Sequence, residues 1–164
     1  MTKPSIILIG MMGSGKTSVG KILANHFKFS FIDTDLVIEN KENKTIDQIF
    51  NLSGEPYFRM LEQNILKNLE KNNCVISTGG GFPIFNDNMN QLLNLGTTIF
   101  LETSLKEIHY RIGLNPKRPL YKDETSSKKI YDDRIPIYSK AHYTVNTDSK
   151  SVLELANEIK LIIE

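Results

Sequence analysis

The chain reads as an α/β protein built on a parallel sheet with both faces covered. Short apolar runs rich in β-branched residues alternate from end to end with segments of helical periodicity. The runs are continuously apolar rather than alternating with polar residues, as strands buried on both faces must be. A glycine-rich motif also stands between the first run and the first helical pattern, where strand-loop-helix sites for phosphate occur.

In chain order, strands are expected at Ser5–Ile9, Phe29–Ile32, Cys74–Ser77, Thr98–Leu101 and Tyr143–Val145. The first helix follows the glycine loop, with Val19, Ile22, Leu23 and Ala24 at helical spacing. Thr45 has the character of an N-cap ahead of Ile46-Asp47-Gln48-Ile49-Phe50. The next helix is expected from about Pro56 to Glu70, with Phe58, Leu61, Ile65, Leu66 and Leu69 on one face. Further helices are expected near Asn86–Leu95, Ser104–Ile112, Ser126–Lys140 and Ser151–Ile163. At 164 residues the length suits about one domain.

Composition excludes several classes of function. A formal charge of +1 gives no electrostatic case for nucleic acid or a membrane surface as partner. No apolar run reaches the roughly 18–20 residues needed to span a bilayer. One cysteine, Cys74, rules out an internal disulfide or a cysteine metal cluster, and its apolar neighbours suit a small buried hydrophobe. The strand and glycine loop follow so soon after Met1 that no cleavable leader is expected, and the protein is expected to be soluble and cytoplasmic. No long exposed apolar stripe asks for a partner, so a monomer is expected.

Gly10-Met11-Met12-Gly13-Ser14-Gly15-Lys16-Thr17 spells G-x-x-x-x-G-K-T between a strand and a helix. Its glycines let backbone N–H groups converge on phosphate oxygens beside the positive end of a helix. Lys16 is expected to reach the β- and γ-phosphates, and the Thr17 hydroxyl to ligate Mg²⁺. The motif implies a nucleoside triphosphate and leaves kinases, GTPases and motor ATPases open.

The next motifs bear on the second ligand. Asp33-Thr34-Asp35 places two carboxylates on the same side if the chain there is extended. One then suits a metal and the other a substrate hydroxyl; a turn or a helix cap is the alternative. Thr78-Gly79-Gly80-Gly81 permits close backbone approach to a bound molecule, or is a flexible turn. The segment Gly113 to Asp123 carries two prolines and Arg118, and reads either as a plain surface loop or as a lid that excludes water from the phosphates. Against sixteen lysines the chain has four arginines: Arg59, Arg111, Arg118 and Arg134. Where lysine supplies the surface charge, such arginines suit sites that need a planar, bidentate fork.

Taken together, G-x-x-G-x-G-K-T, Asp-Thr-Asp, Phe-Arg-x-x-Glu, Gly-Gly-Gly, Arg-Pro-Leu and Arg-x-x-x-Tyr resemble the shikimate kinase family over nearly the whole chain. The resemblance implies a single domain over 1–164 with the P-loop nucleoside-monophosphate-kinase-like three-layer fold, a five-stranded parallel sheet and a mobile lid. It divides the chain into a P-loop at 10–17, a substrate-binding region at about 34–62 and the lid at about 113–124. It implies transfer of the γ-phosphoryl of ATP to the 3-hydroxyl of shikimate, with Mg²⁺, in aromatic amino-acid biosynthesis.

By the same resemblance, Gly13, Ser14, Gly15, Lys16, Thr17 and Ser18 hold the phosphates and Arg111 stacks on adenine. Thr17 and Asp33 serve the metal. Asp35 binds and orients the shikimate hydroxyls, Arg59 and Arg134 clamp its carboxylate, and Gly79, Gly80 and Gly81 offer backbone donors. Arg118 reaches the transferring phosphoryl group, so Lys16, Asp35 and Arg118 form the catalytic set. The loop after the last strand, Asn146 to Lys150, lacks the arginine and proline of the family pattern. The rival readings are another small-molecule kinase of this fold, such as a gluconate kinase or a nucleoside-monophosphate kinase, and a nucleotide-binding regulator without catalysis.

Overall fold

The computed structural model describes residues 3–113 and 124–164. Five strands form one parallel sheet: β1 (Ser5–Ile9), β2 (Ser30–Asp33), β3 (Cys74–Ser77), β4 (Gly96–Glu102) and β5 (Tyr143–Asn146). Their order is β2-β3-β1-β4-β5: from the central β1 the chain passes to the edge strand β2, returns to β3 beside β1, then crosses to β4 and β5, and each parallel step needs a helical crossover. The helices are α1 (Lys16–Phe27), α2 (Thr34–Glu42), α3 (Ile46–Leu66), α4 (Asn88–Leu95), α5 (Leu105–Gly113), α6 (Glu124–Tyr138) and α7 (Val152–Ile163).

Strand β1 explains the layering. All five of its residues are buried, and successive side chains point to opposite faces. Ile6 and Leu8 enter a core shared with Val19 and Leu23 of α1 and Leu155 and Ile159 of α7. Ile7 and Ile9 enter the other core, with Ile49, Phe58 and Leu61 of α3, Leu92 of α4 and Tyr138 of α6. Cys74 is a free, fully buried thiol in that second core, the packing role its neighbours suggested. The result is the three-layer arrangement expected. Among the described residues no helix is long and apolar enough to cross a membrane.

Two local expectations are corrected. The segment after β2 is a helix: Asp33 ends the strand, and its Oδ1 accepts from the N–H groups of Asp35 (3.1 Å) and Leu36 (3.3 Å), capping α2. Asp33 and Asp35 are therefore not neighbours on one side of an extended chain; Asp35 stands in the first turn of α2. The helix expected from Pro56 begins earlier and stops at Leu66 rather than Glu70. Thr45 does cap it, in a reciprocal box with Gln48. Gly54 then breaks the helical backbone with φ 80°, which favours glycine, and Pro56 starts the second segment, where its missing N–H costs nothing.

Where β1 and β4 meet, the backbones leave no room for a side chain. A Cβ on Gly96 would stand 2.3 Å from the Ser5 carbonyl oxygen. Gly96→Ala is therefore expected to lower unfolding free energy by about 1–3 kcal/mol, read from urea denaturation. A stability equal to that of the unsubstituted protein would show that the strands can part without cost.

Candidate active site

The P-loop bridges β1 and α1 at the carboxyl edge of the sheet. Gly15, with φ 94°, is the N-cap of α1 and gives it no side-chain cap, so the first turn presents backbone N–H groups outward. That is the arrangement an anion needs. Ser14 is fully buried beneath the loop. Lys16 is also buried, and its Nζ donates to the carbonyls of Gly10 (2.9 Å) and Met11 (2.7 Å) and to Ser14 Oγ (3.3 Å). The ammonium thus lies folded along the loop itself, held by main-chain oxygens.

Next to it, the Thr17 hydroxyl donates to Asp33 Oδ2 at 2.7 Å and lies 3.4 Å from Ser77 Oγ at the end of β3. One oxygen of Asp33 therefore caps α2, the alternative the sequence left open, while the other faces the P-loop through Thr17. Among the described residues no group of three or more His, Cys, Asp or Glu side chains is placed to hold a metal by itself.

On the other side of the P-loop, Arg111 of α5 is tied in place by Glu107 through Nε (2.8 Å). It donates to the Gly13 carbonyl (3.2 Å) and to the Thr147 carbonyl (3.0 Å). Thr147 is fully buried and follows β5 in the loop that lacks the family's arginine and proline. Arg111 joins that loop to the P-loop, so the guanidinium is already fixed where the nucleotide half of the site is expected.

The half of the site expected to take the substrate is organised by the three glycines after β3. Each lies close to a different polar side chain, so that a Cβ would collide at Gly79 and Gly81 and press on its neighbour at Gly80. On Gly79 it would stand 2.5 Å from Asp35 Oδ1, on Gly80 3.1 Å from Arg134 Nη1, and on Gly81 2.6 Å from both terminal nitrogens of Arg59. The run is thus a close-approach surface for the three side chains expected to bind one substrate. The expectation that all three glycines offer donors is corrected at Gly79, whose N–H is taken by the Thr34 hydroxyl at 3.0 Å. Tyr138, fully buried one turn beyond Arg134 on α6, donates its hydroxyl to the Gly80 carbonyl and holds the loop from behind.

Arg59 and Arg134 are each 8 % exposed, so neither is an ordinary surface arginine. Arg59 lies with its carbon Cζ 4.0 Å from the centre of the Phe85 ring. Its Nε and Nη2 both donate to Glu55 Oε1 (3.1 and 2.9 Å), and Nη1 donates to Glu62 Oε2 (2.8 Å). Glu62 is 1 % exposed, and its other oxygen has no hydrogen-bond partner among the described residues. Burial pushes its carboxyl up to about 7, against the opposing pull of Arg59; Asp35 raises it further and Arg134 lowers it. Glu62 therefore feels the charge of all three groups.

The sequence pointed to Asp33, Asp35, Arg59, Arg111, Arg134 and the glycines, and the fold gathers them along the carboxyl edge. Arg118 lies outside the described residues, as does nearly all of the expected lid. Glu62, Phe85, Thr34 and Tyr138 were assigned no role. Glu62 and Tyr138 stood in the quoted motifs, and their positions one turn from Arg59 and Arg134 were the available signal; Phe85 gave none.

Glu62 carries a pH signature. Its folded-state pKa lies above the unfolded value of 4.5, so its contribution to stability is complete below about pH 4.5 and is lost as pH rises through about 7. Glu62→Gln is expected to flatten the decline of unfolding free energy over that window. Urea titrations at several pH values check it, and an unchanged slope would place the Glu62 proton elsewhere.

Comparison with known proteins agrees with this geometry. The family model described as shikimate kinase matches residues 12–164. A shikimate kinase of Persephonella marina is 40 % identical over 157 residues, covering 94 % of this chain and 96 % of the relative. The structure of the shikimate kinase of Acinetobacter baumannii in complex with shikimate superposes with a TM-score of 0.90 at 36 % identity, covering 98 % of this chain and 93 % of that one. A gluconokinase of Sinorhizobium meliloti, at TM-score 0.63 and 17 % identity over 94 % of this chain and 88 % of that one, shares the fold alone. Family model, relative and structure agree, and the chain belongs to the shikimate kinase family.

Proposed function

We infer that this chain carries out its family's reaction, the ATP-dependent phosphorylation of shikimate at the 3-hydroxyl, giving shikimate 3-phosphate and ADP. The observation that carries the residue assignment is the glycine run, against which Asp35, Arg134 and Arg59 lie side by side. Two arginines suit one carboxylate, and a carboxylate beside them suits ring hydroxyls. Shikimate carries both groups on one ring.

In this reading Gly13, Ser14, Gly15, Lys16, Thr17 and Ser18 receive the triphosphate, with Lys16 leaving the loop carbonyls for phosphate oxygens. Arg111, held by Gly13 and Thr147, lies against the adenine. Asp35 accepts a hydrogen bond from the attacking hydroxyl, aligns it with the γ-phosphorus and takes its proton late in the transfer. The transition state is loose, so alignment and charge neutralisation supply most of the rate. Arg118 is assigned to the transferring phosphoryl group on its Arg-Pro-Leu motif. Thr17 and Asp33 offer hard oxygen donors 2.7 Å apart beside the P-loop, a set that suits Mg²⁺ held mainly by phosphates and water. When bound, the ion neutralises and orients phosphate oxygens.

The same reading takes 1–164 as a single domain, monomeric and cytoplasmic, serving aromatic amino-acid biosynthesis; the family match over 12–164 supports the single domain.

The test is ADP release from Mg·ATP with shikimate, gluconate, a nucleoside monophosphate or no acceptor. Release that requires shikimate is expected; equal release in every case would overturn the acceptor assignment. Asp35→Asn is expected to cut turnover on the order of 10²-fold while nucleotide affinity, measured by calorimetry, stays near that of the unsubstituted protein. Undiminished turnover would remove Asp35 from the catalytic set.

A further inference from the structure

Arg59 enters the site with its charge already answered twice, by carboxylates of very different standing. Glu62 is 1 % exposed and held 2.8 Å from Arg59 Nη1, where water cannot replace the contact. The Glu55 side chain is 50 % exposed, and an ion pair so open to solvent is weak and easily exchanged.

The guanidinium can grip a carboxylate in two-pronged fashion along either of two edges. The edge bearing both terminal nitrogens is backed by Gly81, whose missing Cβ would stand 2.6 Å from each. One face is covered by the Phe85 ring. The remaining edge, formed by Nε and Nη2, is the one that Glu55 occupies, at 3.1 and 2.9 Å through a single oxygen.

We propose that Glu55 is an internal competitor for the substrate carboxylate. It occupies the open edge of Arg59 in the free protein and is displaced when shikimate binds. The inference rests on the assignment of Arg59 to the carboxylate clamp.

The local fold suits such an exchange. Gly54 interrupts the helical backbone of α3 immediately before Glu55, and Pro56 starts the next segment after it. Glu55 therefore sits at a break in the helix, where its side chain swings away without breaking a helical turn. The device also discriminates. A small carboxylate has to evict Glu55 with only its own charge, whereas a substrate that also reaches Asp35 and Arg134 has further contacts to offset the eviction. Glu55 is thus a specificity-determining residue that acts through Arg59, without touching the reacting atoms.

The experiment compares Glu55→Gln, Arg59→Lys and the double variant with the unsubstituted protein. Shikimate affinity is read by calorimetry, KM and kcat by ADP release, and acetate serves as a competing anion. Removing the competitor is expected to tighten shikimate binding roughly two- to fivefold, the scale of an exposed ion pair. KM is expected to fall by more than any change in kcat, inhibition by acetate to strengthen, and the gain to vanish in the Arg59→Lys background. Unchanged or weaker shikimate binding in Glu55→Gln, with binding still strongly dependent on Arg59, would overturn the proposal and leave the clamp standing. Undiminished shikimate affinity in Arg59→Lys would overturn the clamp and the proposal with it.

Discussion

Charged groups kept almost out of water at the carboxyl edge of the sheet set the terms for the rest of this fold. Lys16, Arg59, Glu62 and Arg134 are all buried, and buried charges persist only when paired or hydrogen-bonded. Lys16 is held by loop carbonyls and Arg59 by two carboxylates. These partners lie within six residues of the charge they answer, whereas the glycine run that Arg59 and Arg134 both approach follows β3 and brings α3 and α6 together. The two apolar layers around β1 supply the rigidity that keeps so much charge assembled.

Much of this was legible in the amino-acid sequence, for identifiable reasons. Ser5–Ile9 and Cys74–Ser77 match the observed strands end to end, because strands buried on both faces need unbroken apolar runs. The glycine loop declared itself through spacing fixed by phosphate geometry. Helix α2 was missed because Leu36-Val37-Ile38 is apolar, with two β-branched residues, and suits a strand as well as a helix, and only the capping bonds from Asp33 settle its state. The break in α3 was foreshadowed by Gly54 and Pro56, while its end at Leu66 was not, since Leu69 continues the apolar spacing.

Pairwise geometry across distant segments was less legible. The glycine run signalled close approach, but nothing in the sequence says that Gly79, Gly80 and Gly81 face three different partners. That correspondence depends on α2, α3 and α6 converging from separate parts of the chain. Phe85 likewise comes to lie over Arg59 through a loop whose local sequence has no periodicity to read. The scarcity of arginine was the more general clue, and three of the four arginines fall within the described residues at the carboxyl edge.

The strand order has a consequence for how the site is divided. The central strand β1 carries the P-loop and separates two sets of neighbours: β3 and β2 on one flank, β4 and β5 on the other. Asp35, Arg59 and the glycines follow from the first flank, while Arg111 and Thr147 follow from the second. In the proposed reading the two recognition tasks are thus largely partitioned about the P-loop, and Arg134 of α6 is the side chain that crosses from the second flank to the glycine run. In a scaffold partitioned in this way the acceptor side can diverge by exchanging side chains on α2 and α3, with the nucleotide side left intact. An inhibitor confined to one flank meets only that half's chemistry, and a molecule that reaches both has to run across the mouth of the P-loop.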